Sequence, residues 1–183
     1  TASTLAIDRI IRIRNMDKVK EEIYENATRN LLKKLDSMNM DKMPRVRAKN
    51  LALLFRDSFK IQDVKYDTFI PDLTRPEIDA LGYDSSGFCR VASISFKFLL
   101  DASDWDVYYI NDIWAYGPHH FLKHHKTGQV FDLTFDQFDY VGIQVPYYLG
   151  RPITARADKS VLRFIEAVNP QLLDLLQKGH KSC

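Results

Sequence analysis

Apolar residues recur at mostly three- and four-residue steps over residues 8–38, where Ile10, Ile13, Val19, Ile23, Ala27, Leu31 and Leu35 are separated by Lys, Glu and Arg. That spacing predicts amphipathic helix, continuous or broken near Asn15, with its stripe turned into an intramolecular core in preference to a partner. Residues 38–45 form a polar connection with Pro44 and three of the four methionines, whose expected role is gap-filling beside a core. Residues 46–59 predict a second helix with Leu51, Leu54, Phe55 and Ser58 or Phe59 on one side. Val64, Tyr66, Thr68 and Ile70 alternate weakly, which predicts an extended segment over 61–70. Residues 71–87 read as loop, with a short helix over 75–81 capped by Thr74 and carrying Pro76 near its first position. After Gly87, Val91, Ala92, Ser95, Phe98 and Leu99 return to helical spacing, and Ser85 and Ser86 are candidate N-caps. Residues 105–116 are aromatic and β-branched, which predicts one strand or two. Residues 119–132 predict a hairpin: His119 opens one arm, Thr127-Gly128 turns, and Asp132 closes the other. Residues 141–154 read as extended, with Pro146, Gly150 and Pro152 as breakers, and residues 158–168 predict a helix. Asn169-Pro170 then caps and starts a last helix through Leu172, Leu173 and Leu176 to Gly179.

Helices, then strands, then helices predict an α+β fold in which an antiparallel sheet packs on helices. At 183 residues the chain is expected to form one domain: a helical N-terminal region over 1–60, a core over 82–154 and C-terminal helices over 158–179. The composition, 45% hydrophobic and 27% charged, is that of a globular protein. With a net charge of +2 and both signs interspersed, nothing marks a phosphate-tracking surface, so nucleic acid is not an expected partner. Asp8, Arg9, Arg12 and Arg14 break up the first apolar run, and no later run reaches the ~18 residues of a membrane span; neither a signal-peptide core nor a membrane contact is expected. Cys89 and Cys183 cannot staple a chain of this size, so a reducing, cytoplasmic compartment is the expectation, with delivery into another cell compatible with it. Cys183, the last residue, reads as a free surface thiol and is not placed for prenylation. No oligomeric state is selected by the pattern.

Three positions in chain order carry a chemical possibility. Cys89 falls in or just before the first turn of a helix, where unpaired backbone N–H groups and the positive dipole end favour a thiolate. A histidine on the neighbouring hairpin arm would serve as base and then acid, and Asp132 on the other arm would fix its tautomer. Both His119 and His120 are candidates, because a one-residue slip in register exchanges the faces of a strand. The plainer reading makes Cys89 a small core residue, the histidine a hydrogen-bonded strand residue and Asp132 a turn former. The run His119-His120-Phe121-Leu122-Lys123-His124-His125 also invites a metal, but on a strand His120 and His124 lie roughly 13 Å apart. There is no C-x-x-C, H-E-x-x-H or glycine-rich phosphate loop, and no metal or other cofactor is expected.

Gly87-Phe88-Cys89-Arg90-Val91-Ala92-Ser93 resembles the nucleophile turn of transglutaminase-like and papain-like thiol enzymes. His119-His120-Phe121-Leu122 is similar to their H-x-W, and Asp132-Leu133-Thr134 to their D-P-T with Leu133 where Pro is usual. A tighter likeness is to bacterial and phage proteins of the same superfamily that read H-x-[WF]-L, T-G-x-V-x-D-[PL]-T-x-[DE]-Q-F and P-Y-x-x-G-R. Here those stretches are His119 to Leu122, Thr127 to Phe138 and Pro146 to Arg151, and the likeness covers about residues 82–154. The resemblance implies a transglutaminase-like or papain-like core with Cys89 as nucleophile, His119 as base and Asp132 as orienting acid. It implies a cysteine-dependent amidohydrolase or acyl transferase working through a thioester, with a glutamine side chain of a protein or peptide as leading substrate. A cysteine protease or a non-catalytic binding module on the same fold are the alternatives. Gln137 and Phe138 are expected to support the hairpin, and Arg151 to bind a substrate carboxylate or form a surface ion pair.

Overall fold

The computed structural model describes residues 2–179, among which eight helices and four strands form. Helix α1 (Ala2–Ser37) runs unbroken through Asn15. Its second half buries Tyr24, Ala27, Leu31 and Leu35 at three- and four-residue steps, as the pattern demands. Its first half does not: Ile10, Ile13 and Val19 are 49%, 50% and 52% exposed, which corrects the expectation that the whole stripe is core. The reason is length. Thirty-six residues of helix reach about 54 Å, while the partner helix of 18 residues reaches about 27 Å, so half of α1 overhangs.

That partner is α2 (Lys42–Phe59), whose apolar face is Ala48, Leu51, Ala52, Phe55 and Phe59. It starts earlier than predicted because Pro44 sits in its first turn, where a missing N–H leaves no bond unmade. Arg45 closes the connection by donating to the Met38 and Met40 carbonyls at 3.0 and 2.9 Å. Met38 is buried and Met43 exposed, so gap-filling holds for the first and not the second. Residues 62–69 form helix α3 (Gln62–Phe69), not the predicted extended segment; its inward residues Val64, Lys65 and Thr68 follow a helical step, and the alternation in sequence is incidental. Helix α4 (Arg75–Asp79) carries the expected Thr74 cap, completed by Glu77 into a reciprocal capping box. Helix α5 (Cys89–Leu99) buries Val91 through Phe96 and leads into strand β1 (Trp105–Ile110).

Strands β2 (His119–His124) and β3 (Val130–Phe131) are the predicted hairpin. Helix α6 (Asp136–Asp139) and a 3-10 turn at Tyr147–Leu149 follow, so only Arg151–Pro152, strand β4, realises the extended reading of 141–154. Helices α7 (Lys159–Val168), capped by Asp158, and α8 (Pro170–Gly179) close the chain as expected. The sheet order is β3-β2-β1-β4 with every pair antiparallel, which is the predicted α+β arrangement. Pro152 is tolerated because β4 is an edge.

The register divides the sheet into two buried faces. Trp105, Val107, Leu122 and Phe131 meet α5, α2 and α7 in the main core, with Phe96 at 5.1 Å from the Trp105 ring and 5.4 Å from Phe131. Ile110 and Phe121 on the other face join Ile113 and Phe138 in a smaller cluster. No helix among the described residues is long and apolar enough to cross a membrane.

Candidate active site

Cys89 is the first residue of α5, and Phe88 is its N-cap position. No side chain caps the helix, and the hydroxyl of Ser85, one of the two predicted caps, donates to Asp136 at 3.2 Å. Gly87 takes φ +85°, left-handed backbone that turns the chain into the helix, and a Cβ there would stand 3.1 Å from Leu81 Cδ1. Phe88 anchors the turn, its ring 4.5 Å from Phe59, 5.0 Å from Phe69 and 5.6 Å from Phe164. Cys89 is therefore held at a helix head whose first N–H groups have no intrahelical acceptor. It is partly exposed.

His119 opens β2 and is fully buried, and Asp132 follows β3 and is buried as well. His119 Nε2 lies 2.7 Å from Asp132 Oδ2. The same oxygen accepts from the Tyr147 hydroxyl at 2.8 Å, while Oδ1 accepts from the Thr134 backbone at 3.1 Å. Three bonds fix the carboxylate, and an edge-on contact with Phe138 at 4.7 Å fixes the imidazole plane. Burial and the Asp132 charge raise the Tyr147 hydroxyl above its ordinary range, so it stays a donor. Because Nε2 is committed to Asp132, Nδ1 is the nitrogen left for the thiol; it is buried and has no hydrogen-bond partner among the described residues.

Burial alone would raise the Cys89 thiol, but interactions with His119 and His120 outweigh it and bring it from 9.0 down to about 6. Burial likewise opposes charge on His119, and it is outweighed first by Asp132 and then by the thiolate, which raise the imidazole to about 10. Between those limits the favoured state is thiolate beside imidazolium. The three residues singled out in the sequence thus come together, and the carboxylate partner distinguishes His119 from His120. His120 also bears on the sulfur. Its ring packs 4.8 Å from Tyr109, and among the described residues no carboxylate pairs with it.

Sequence reasoning missed a buried ion pair beneath the site. Arg56 of α2 grips Asp136 with both ends of its guanidinium at 2.7 and 2.9 Å, and the two residues are 1% and 0% exposed. The Tyr83 hydroxyl donates to the same carboxylate at 2.6 Å, alongside Ser85. Arg56 also donates to the Leu133 and Tyr24 carbonyls, both at 3.0 Å, and to Thr28 Oγ1 at 2.9 Å. One arginine therefore ties α1 and α2 to the loop before Cys89 and to the turn after Asp132. The available signal was Arg56 standing inside the apolar stripe of an amphipathic helix, between Phe55 and Phe59. Its partner is 80 residues away and could not be read from the pattern.

The other two histidines among the described residues go elsewhere. His124 Nδ1 pairs with Thr127 Oγ1 at 3.0 Å in the hairpin turn, and His125 pairs with Asp106 at 2.8 Å. Among the described residues no group of three or more His, Cys, Asp or Glu side chains is placed to hold a metal ion. Gln137 donates to Thr134 Oγ1 at 2.9 Å, a support for the hairpin. Arg151 is exposed in β4 and makes no ion pair among the described residues. Cys183 lies outside the described residues.

Beside Tyr147, an open groove of ≈ 570 Å³ is lined by Trp114, Ile143, Gln144, Pro146 and Tyr148. Trp114 and Ala115 sit on the loop leading to His119 with φ 48° and 69°, left-handed for residues that are not glycine. The Asp112 carboxylate holds that loop by accepting from the Ala115 and Gly117 amides at 3.1 and 3.0 Å. Comparisons with protein-family models, curated proteins and solved structures return no match for this chain.

Proposed function

We propose that the chain is a cysteine-dependent amidohydrolase or acyl transferase with a transglutaminase-like core, acting through a thioester on Cys89. The observation that carries this reading is a cysteine at a helix head whose thiol is lowered to about 6, against its own burial, beside a buried His119–Asp132 pair. A structural core cysteine in an apolar setting has its pKa raised instead.

In the proposed reaction Sγ attacks an amide carbonyl carbon and the carbonyl π pair moves onto oxygen. Backbone N–H at the head of α5 holds that oxyanion. As the tetrahedral adduct collapses, the C–N bond breaks and the leaving amine takes its proton from the His119 imidazolium. Water or an amine then gives a proton to His119, attacks the thioester carbon and releases the thiolate. Asp132 stabilises His119 whenever it carries the proton. A glutamine side chain of a protein or peptide is the leading substrate.

The test is incubation with glutamine-containing peptides, in the presence and absence of a primary amine, read by mass spectrometry. Conversion of glutamine to glutamate, or amine incorporation, dependent on Cys89 and His119, is the expected result. Cleavage of the backbone instead would make the protein a protease of the same chemistry. No acyl adduct on Cys89 with any peptide or activated ester would sink the reading. A binding module is the second reading, favoured by the exposed Leu5, Ile7, Ile11 and Met16 of α1. It leaves the lowered thiol without a use.

A further inference from the structure

Two histidines bear on the thiol, and the proposed reaction has used one. His120 lies on the opposite face of β2 from His119, in register with Tyr109 of β1 and on the face that also carries Leu122 and Trp105. Helix α5 packs on this face, with Phe96 against Trp105. Seven residues of helix separate Phe96 from Cys89, about 10 Å, and four of strand separate Trp105 from Tyr109, about 13 Å. The head of α5 thus sits over the His120–Tyr109 pair. His120 is 9% exposed, and its Nδ1 is buried with no hydrogen-bond partner among the described residues. A buried polar nitrogen without a partner, on an imidazole that already bears on the Cys89 sulfur, is an exception that asks for a role.

We infer that His120 is a catalytic residue whose Nδ1–H donates to the carbonyl oxygen as Cys89 attacks, the second donor of an oxyanion hole begun by backbone N–H at the head of α5. The inference rests on the thiol-acyl reading above. As C–S forms and the π pair moves to oxygen, the hydrogen bond shortens and no proton is transferred. When the carbonyl re-forms and the C–N bond breaks, the bond relaxes. His119 alone supplies the proton to the leaving amine. The Tyr109 ring at 4.8 Å keeps the second imidazole in place.

The experiment compares two probes on Cys183→Ser protein: iodoacetamide, whose displacement develops no oxyanion, and p-nitrophenyl acetate, whose acyl transfer does. The readout is the ratio of limiting acylation rate to limiting alkylation rate, each taken where the thiolate is fully formed. His120→Ala and His120→Phe, the second keeping a ring against Tyr109, should lower that ratio by roughly 10-fold or more, and His120→Gln, which retains a donor, should recover part of it. A ratio unchanged in His120→Phe overturns the inference and leaves His120 a packing residue. Failure of the underlying reading looks different: the unsubstituted thiol would then titrate like free cysteine, whatever stands at position 120.

Discussion

Replacing His119 by alanine, on a Cys183→Ser background, tests the thiolate–imidazolium pair directly. In the intact protein the neighbouring imidazoles bring the thiol from 9.0 down to about 6. At about pH 7 roughly nine tenths of Cys89 is then thiolate, against about one hundredth of an ordinary thiol. The rate contrast is smaller, because a thiolate of low pKa is a poorer nucleophile. With a Brønsted slope of about 0.4–0.5, three units lower the intrinsic reactivity by about 15- to 30-fold. The advantage left at about pH 7 is only about 3- to 6-fold, whereas at about pH 5 the population ratio is about 900 and the advantage about 30- to 60-fold. The acid limb is where the pair declares itself. His119→Ala removes the leading interaction that opposes burial, so the midpoint should move up toward the ordinary value. Alkylation by iodoacetamide at about pH 5, followed by intact mass, should fall by about 10-fold or more, reaching 30- to 60-fold for a full return. A midpoint at or above about 8.5 in the unsubstituted protein would refute the reasoning. So would a midpoint that stays low in His119→Ala and moves only in His120→Ala, which would make His120 the base.

Acyl transfer should be bell-shaped in pH, rising as Cys89 ionises through about 6 and falling as His119 loses its proton through about 10; a rate profile on p-nitrophenyl acetate and a glutamine peptide checks both limbs. Tyr147→Phe removes one of the three bonds to Asp132 and should raise the thiol midpoint by less than His119→Ala does, with a stability loss of about 1 kcal/mol read by urea denaturation. Asp136→Ala leaves the 1%-exposed Arg56 charge and the Tyr83 and Ser85 hydroxyls without their acceptor, and should destabilise by about 3–5 kcal/mol, or about 6–20 °C in melting temperature. The paired change Arg56→Met with Asp136→Leu should recover part of that loss, and a strictly additive double variant would show that the two residues are not coupled.

Local signals in the chain were legible because their physics is local. Thr74 caps its helix, Thr127-Gly128 turns the hairpin, and the three- and four-residue steps of α2, α5 and α7 are the faces they bury. The same logic placed Cys89 at a helix head and His119 and Asp132 on adjacent hairpin arms, which was enough to bring them together. What was not legible depended on partners distant in sequence. Val64, Tyr66, Thr68 and Ile70 alternate, yet α7 packs on this segment and selects the helix that buries Val64 and Thr68. Ser85 has the chemistry of an N-cap, but the Asp136 carboxylate claims its hydroxyl. The isoleucines at the start of α1 match a core stripe, and only the length of α2 decides that they stay uncovered.

The stretch from Asp132 to Phe138 shows why a short motif can carry so much of a site. Asp132 orients His119, the Thr134 amide holds Asp132, and Gln137 holds the Thr134 hydroxyl. Phe138 sets the His119 ring plane, and Asp136 receives Arg56. Alternate duties fall to successive residues because the chain leaves β3 and turns at once into α6, presenting side chains to the sheet and to α2 within seven positions. Arg56 bonds α2 to the Leu133 carbonyl of this turn, and Asp136 bonds the turn to Tyr83 and Ser85, four to six residues before the thiol. The N-terminal helices are thus not an appendage to a core over residues 82–154. α2 supplies the charge that holds the loop before Cys89 and the turn after Asp132 in one frame. Breaking that pair should therefore broaden or shift the thiol titration as well as lower stability, since the distance between Cys89 and His119 depends on two segments that meet at Asp136.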